Sequence, residues 1–290
     1  MASLFNLNKI FQGLIRVLIM TAGANLFAAG GGLPVLQYPT TVRSAGMAQL
    51  SDPASTPTAL FRLPDRQADV AVWRWISGVN GMAITVNRRP VAVTLNYFNI
   101  EGLEYRDEIP TELPRYDFGY SNAALGMTLG RVFGEIKTAA NVQYLWERTL
   151  DYSASGLDLN IAASVDLFMD LSLTGGVRHL GVMSALDNQS SDLPTATFFQ
   201  LGYTGGVLGL TGELSSGDFP VKLGAEYTLM SLIHLYSGLQ MSRDVDGAGT
   251  SFHPSAGFEL DLQTFTLGYA LYQLNHDLSP RQYISLSWRF

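Results

Sequence analysis

The sequence predicts an all-β chain: a transmembrane antiparallel β-barrel of about fourteen strands, preceded by a short N-terminal plug segment. Three observations carry that prediction. Segments of alternating apolar and polar residues recur from about residue 68 to the end of the chain, the connections between them are longer and tighter by turns, and the last segment is an amphipathic strand whose final residue is Phe290. A membrane barrel needs such dyad patterning because successive side chains point alternately to lipid and to lumen.

Composition agrees. Hydrophobic residues make up 47% of the 290, yet mean hydropathy is only +0.13. Past residue 30 no run approaches the ~20 apolar residues that a spanning helix requires. The 29 glycines, 13 tyrosines and 15 phenylalanines suit many short strands and turns.

In chain order, residues 1–30 read as a secretory signal peptide. Lys9 and Arg16 make a weakly basic start, an interrupted apolar run follows from Val17 to Ala29, and Ala28 and Gly30 suit a signal peptidase. Without Lys9 and Arg16, sixteen of the 18 basic residues face 25 acids, a net charge of −9, which argues against a nucleic-acid partner. The chain has no cysteine, which excludes a lipid-modified N-terminal thiol, disulfides and thiol catalysis. That also suits a protein crossing an oxidising periplasm unfolded. Residues 31–66 lack clear alternation and carry Arg43, Arg62 and Arg66, so they read as a plug-like segment.

Residues 67–290 hold the barrel. Its candidate strands are 68–76, 81–87, 90–99, 118–131, 135–147, 157–167, 171–183, 193–203, 207–215, 221–229, 232–242, 251–262, 264–274 and 281–290. Three are clearest. In 251–262, Phe252, Pro254, Ala256, Phe258, Leu260 and Leu262 oppose Ser251, His253, Ser255, Gly257, Glu259 and Asp261. In 221–229, Val221, Leu223, Ala225, Tyr227 and Leu229 oppose Lys222, Gly224, Glu226 and Thr228. In 157–167, Leu157, Leu159, Ile161, Ala163, Val165 and Leu167 oppose Asp158, Asn160, Ala162, Ser164 and Asp166. A helix, with its period of 3.6, keeps none of these sets on one face. At the start of the barrel, Trp73 and Trp75 stand out of phase with Val70 and Val72.

Parity tests the topology independently. Counting back from a C-terminus on the periplasmic side, the outer connections are 275–280, 243–250, 216–220, 184–192, 148–156, 100–117 and 77–80, and the alternate ones are tighter. In the last strand Ile284, Leu286, Trp288 and Phe290 face one way, with Tyr283, Ser285, Ser287 and Arg289 opposite. A terminal Phe on such a strand resembles the sorting signal read by the barrel assembly machinery, here Tyr283, Trp288 and Phe290. Outer-membrane location follows as an expectation, with lipid and lipopolysaccharide around the barrel.

The lumen should be polar and of mixed sign, with Asp158, Asp166, Arg178, Lys222, Glu226, Glu259 and Asp261 as its principal charges, and Glu135, Lys137, Glu147, Glu213 and Arg289 beside them. Arg43, Arg62 and Arg66 could pair with its carboxylates, since guanidinium forks match carboxylates bidentately. His179, His234, His253 and His276 are scattered, without metal-ligand spacing, and no nucleophile elbow, phosphate-binding loop or dinucleotide fingerprint is present. The reading is therefore a non-enzyme without cofactor or metal.

Two stretches resemble the PorV/PorQ family of the FadL-type superfamily of fourteen-stranded barrels. One is Val42-Arg43-Ser44-Ala45-Gly46-Met47 with Ser51-Asp52-Pro53-Ala54-Ser55, similar to the family's Arg-x-x-Gly-Met core and Asp-x-Ala-Ser run. The other is Asn141-Val142-Gln143-Tyr144 through Asp151 to Leu159, similar to the family's mid-barrel hairpin. The family's Asn-Pro-Ala tripeptide is absent, and Leu60-Phe61-Arg62 stands in about its place. The resemblance implies a plug built on Arg43, Gly46, Met47, Asp52 and Ser55. It also implies transport or secretion, either as a type IX secretion accessory that tethers secreted cargo proteins or as a FadL-like uptake channel for a hydrophobic ligand. A purely structural role in the outer membrane is the third expectation.

Overall fold

The computed structural model describes residues 33–76, 78–105, 116–186, 192–243, 250–273 and 279–290; the signal-peptide reading of residues 1–30 and His276 lie outside them. Fourteen antiparallel strands close into a barrel, each pairing with its neighbours in sequence and β1 closing on β14. They are β1 (Arg66–Arg74), β2 (Val79–Arg88), β3 (Val91–Tyr105), β4 (Tyr116–Phe133), β5 (Ile136–Thr149), β6 (Tyr152–Asp166), β7 (Leu171–Met183), β8 (Ala196–Gly205), β9 (Leu208–Ser215), β10 (Val221–Leu229), β11 (Ile233–Arg243), β12 (Thr250–Leu262), β13 (Phe265–Tyr272) and β14 (Arg281–Arg289). Closure leaves no strand edge unpaired, as a sheet in hydrocarbon requires.

Alternation fixes which side chains face out. Ile161, Leu223, Phe258 and Leu286 are each about half exposed on the outer wall, whereas their neighbours Asn160, Lys222 and Ser285 are buried inside. A ring of exposed Leu, Val, Phe and Ile is a surface for lipid, so the barrel reads as membrane-spanning. Trp73 resolves the phase conflict in β1: Val70 and Val72 face out, while Asp69, Ala71 and Trp73 face in. A large aromatic can occupy the lumen side when something inside covers it.

Parity of the connections holds, with one correction. The segment 148–156 is not an outer loop; β5 and β6 run on as paired strands and meet at a two-residue turn, Leu150-Asp151, with Leu150 at φ 50°. The dyad pattern there passes through Ser153-Ala154-Ser155-Gly156, whose small polar character reads as turn but also fits a strand outside the bilayer. β3, β4 and β6 have 15, 18 and 15 residues, well beyond the ~9–11 that span a membrane. With tight turns holding their other ends level, the excess projects at the end of the barrel opposite those turns.

The N-terminal segment lies inside the ring. A 3-10 turn (Pro34–Gln37), a short helix α1 (Val42–Gly46) capped by the Thr41 hydroxyl, and a second 3-10 turn (Pro57–Arg62) succeed one another. Val35, Val42, Ala45, Met47, Leu50 and Leu60 are all within 2% of complete burial. So few residues could not bury such side chains alone; the barrel wall supplies the other half of the core.

Candidate functional site

The functional space is the interface between this segment and the wall, and it divides into two halves. Toward the β1–β2 and β13–β14 connections the contacts are aromatic. Tyr38 stacks on both Trp73 at 4.5 Å and Phe98 at 5.1 Å, which lie 5.7 Å from each other, and Tyr120 meets Phe98 edge-on at 6.0 Å. Tyr283 and Tyr272 continue the layer, with Leu36, Leu145 and Leu193 behind it. Gly81 makes room for it, because a Cβ there would fall 2.0 Å from the Trp73 indole. Arg281 lies 4.3 Å from the Tyr38 ring and 4.0 Å from that of Trp75. Burial pushes the Tyr38 phenol above its usual range, with Arg281 pulling the other way. It therefore stays neutral and is no counter-ion to Arg281.

Beside β7, β9 and β10 the contacts turn polar. Arg178 sends Nε to the Ser55 carbonyl (3.1 Å) and Nη2 to the Thr56 hydroxyl (3.0 Å), while its fork holds Glu213 at 2.8 and 2.5 Å. Lys222 stands 3.9 Å from the same carboxylate and donates to Gln49 Oε1 at 3.3 Å. Wall side chains also serve carbonyls of the segment: Asn96 donates to those of Val35 and Tyr38, Gln143 to Ala54, Thr128 to Pro53 and Ser255 to Gly46.

Within the segment, the resemblance-derived residues do identifiable work. Asp52 accepts from Thr40 N, Thr40 Oγ1, Ser44 Oγ and Ala54 N, tying both ends of the fold to one carboxylate. Gly46 abuts β11 and β12, where a Cβ would lie 2.7 Å from Tyr236 Cβ. Met47 packs with Leu50 and Tyr236. Ser55 contributes its carbonyl, not its hydroxyl, to Arg178.

The expected arginine–carboxylate clamps are mostly absent. Arg43 pairs with Glu226 at 2.5 Å as anticipated. Arg62 instead reaches the Ser51 and Ser172 hydroxyls, and Arg66 sits exposed on β1. Glu259 accepts from the Tyr236 hydroxyl, Asp261 from Arg289 and Asp166 from Lys137. Asp158 takes Gln143, Asn160 and His179. The wall thus satisfies these carboxylates itself. Asp166 stands at the rim with its side chain more than half exposed, and Glu135 lies exposed in the β4–β5 turn.

His179 escaped the pattern. Between Leu159 and Ile161 the β6–β7 register shifts, so that Arg178 and His179 together oppose Asn160. Such a bulge re-aims a side chain; at φ 56°, His179 turns inward beside Arg178, and both are buried. No sequence signal marks it.

A cavity of about 500 Å³ opens between the segment and the wall near the β6–β7 and β8–β9 turns, lined by Arg43, Arg62, Asp166, Ser172, Thr211 and Glu226 among others. On the lipid side a groove of about 570 Å³ runs over Gly212 and Ala225 between Leu201, Leu210, Leu223 and Leu239. Leu171, Tyr203 and Thr211 line both. Among the described residues no His, Asp and Glu cluster could hold a metal ion.

No family model matches the chain, and no curated protein matches it in sequence. Its fold is similar to that of the toluene transporter TbuX of Ralstonia pickettii, at 10% identity and TM-score 0.56, covering 87% of this chain and 98% of that one. It is likewise similar to the toluene transporter TodX of P. putida, at 10% identity and TM-score 0.58 over 87% and 98%. At such identity the likeness is one of fold.

Proposed function

We propose that this protein is an outer-membrane channel through which small hydrophobic molecules enter, held closed by its N-terminal segment. The aromatic layer around Tyr38 carries the reading. A channel for ions or sugars is served by a polar constriction, whereas stacked rings with Leu and Val behind them offer apolar solutes a path of low desolvation cost. The lipid-side groove and the inner cavity share the wall residues Leu171, Tyr203 and Thr211, so a single layer of paired strands separates lumen from lipid there, a second supporting feature. The two similar structures are transporters of a hydrophobic solute, toluene, which agrees with the FadL-type alternative. A cargo-tethering role of the PorV/PorQ kind has less support, because it needs large outer connections and β5–β6 and β9–β10 turn within two and five residues.

The test is uptake of radiolabelled toluene by cells carrying the protein in the outer membrane, against cells with an empty vector. Faster uptake is expected. Deleting residues 36–64 should additionally open a steady ion current in planar bilayers. Equal toluene uptake with and without a correctly inserted barrel would sink the proposal.

A further inference from the structure

Arg281 is a buried arginine without an acid. At the head of β14 it retains 3% exposure, it forms no ion pair among the described residues, and its Nε and Nη1 groups meet no protein acceptor. Two ring faces, Tyr38 and Trp75, are what it touches. Ring faces attract the cation, but they do not satisfy the donors in the guanidinium plane. A buried charge left so is unfavourable unless something pairs with it.

The β14 register surrounds it with like groups. Arg281 stands opposite Tyr272, and Tyr283, two residues on, stands opposite Ala270 and Trp73. Side chains two apart share the lumen face about 7 Å from one another. The Tyr283 hydroxyl is also buried without a partner. Among the described acids, neither Asp52 nor Glu147 pairs with Arg281. Asp52 is occupied within the N-terminal segment, and Glu147 accepts from Tyr120, beyond the Tyr38–Phe98 stack.

We infer that Arg281 and Tyr283 form a binding site for the carboxylate of an aromatic solute entering from the outer mouth. A carboxylate presents two acceptors that match the guanidinium fork and can take the tyrosine hydroxyl as well. Tyr38, Trp73 and Tyr272 then supply faces and edges for the solute's own ring. Access needs a rearrangement: Trp75, half-buried just past the end of β1 and anchored through Nε1 to the Ser279 carbonyl at 2.5 Å, covers the guanidinium. The buried Tyr38, Trp73 and Tyr272 rings, now packed against one another and Tyr283, must also part to admit the solute. The site rests on the channel reading above and narrows it, since a neutral hydrocarbon gains nothing from Arg281.

The probes are benzoate and its neutral counterpart toluene, titrated into the full chain in lipid nanodiscs and followed by tryptophan fluorescence and calorimetry. Benzoate should bind saturably and perturb Trp75. Arg281→Gln should weaken it about tenfold to a hundredfold, the loss of charge-assisted hydrogen bonds, with toluene binding unchanged. Arg281→Lys, which keeps the charge without the fork, should fall between. Heat-modifiable migration on gels verifies that each variant is a folded barrel. Benzoate affinity unaltered by Arg281→Gln overturns the site, as does toluene binding without benzoate binding, which leaves the channel reading intact. Failure of both probes to bind overturns the site, and failure of toluene uptake in cells counts against the channel reading itself.

Discussion

Replacing Arg178 should loosen the N-terminal segment more than any other single change in the wall. Its two hydrogen bonds to the segment, 3.1 Å to Ser55 O and 3.0 Å to Thr56 Oγ1, come from a charged donor in a buried setting. Such bonds contribute roughly 1.5–3 kcal/mol each, so the pair opposes release by about 3–6 kcal/mol, or about a hundredfold to ten-thousandfold in the released population. Arg178→Met alone confounds that effect. It strands Glu213, 2% exposed, with Lys222 at 3.9 Å, and breaking a buried pair costs about 3–5 kcal/mol of barrel stability. The informative variant is Arg178→Met with Glu213→Gln, which removes the Arg178–Glu213 pair and leaves Gln200 a neutral partner. Lys222 then keeps its bond to Gln49 but loses its carboxylate, a cost in barrel stability that the gel assay registers separately from release. Thr56→Val, losing one bond, should give about a tenfold to hundredfold increase in release. Single-channel recording reads the fraction of time spent conducting, and heat-modifiable migration reports the barrel. A double variant with an intact barrel and the wild-type closed fraction would refute the argument.

Three further outcomes are expected. Leu223→Arg or Ile161→Arg should cost about 2–4 kcal/mol in denaturant unfolding from lipid, while Thr228→Arg, beside His234 in the lumen, should cost distinctly less; equal losses would invert the assigned faces. Gly46→Val sets a Cβ 2.7 Å from Tyr236 Cβ, which has no torsion to turn it away, so residues 33–65 should become protease-sensitive in a barrel that still migrates as folded. Deleting Phe290, half exposed and packed 5.6 Å from Trp288 on the outer wall, should lower outer-membrane insertion and leave protein in the periplasm, as fractionation would reveal.

How much of this was legible varies with the physics of each element. Strand number, faces and order follow from alternation because lipid on one side and polar lumen on the other impose period two at every strand. The pattern fails where that contrast fades. In the extension of β5 and β6 beyond the bilayer both faces meet water, and Ser153 to Gly156 looked like a loop. In β1 the lumen side holds Trp73, since the wall there meets an apolar segment rather than solvent. Hydropathy cannot tell those two apolar environments apart.

The pairing of segment to wall was less legible, for a different reason. The charges pointed to arginine clamps on lumen carboxylates, and one formed, Arg43 with Glu226. The remaining anchors run the other way, from wall donors to carbonyls of the segment. Apart from α1 and two 3-10 turns the segment has no regular structure, so most of its buried carbonyls lack internal partners and must be met from outside. Asn96, Thr128, Gln143, Arg178 and Ser255 meet them. A backbone carbonyl has no residue identity, so no motif announces it; only the excess of neutral donors on inward positions hints that something unpaired lies across from them. Arg281 is the complementary case. Its residue type suggests a salt bridge, and its significance lies in having none among the described residues, which becomes visible only once Tyr38, Trp75, Tyr272 and Tyr283 have been given their places around it.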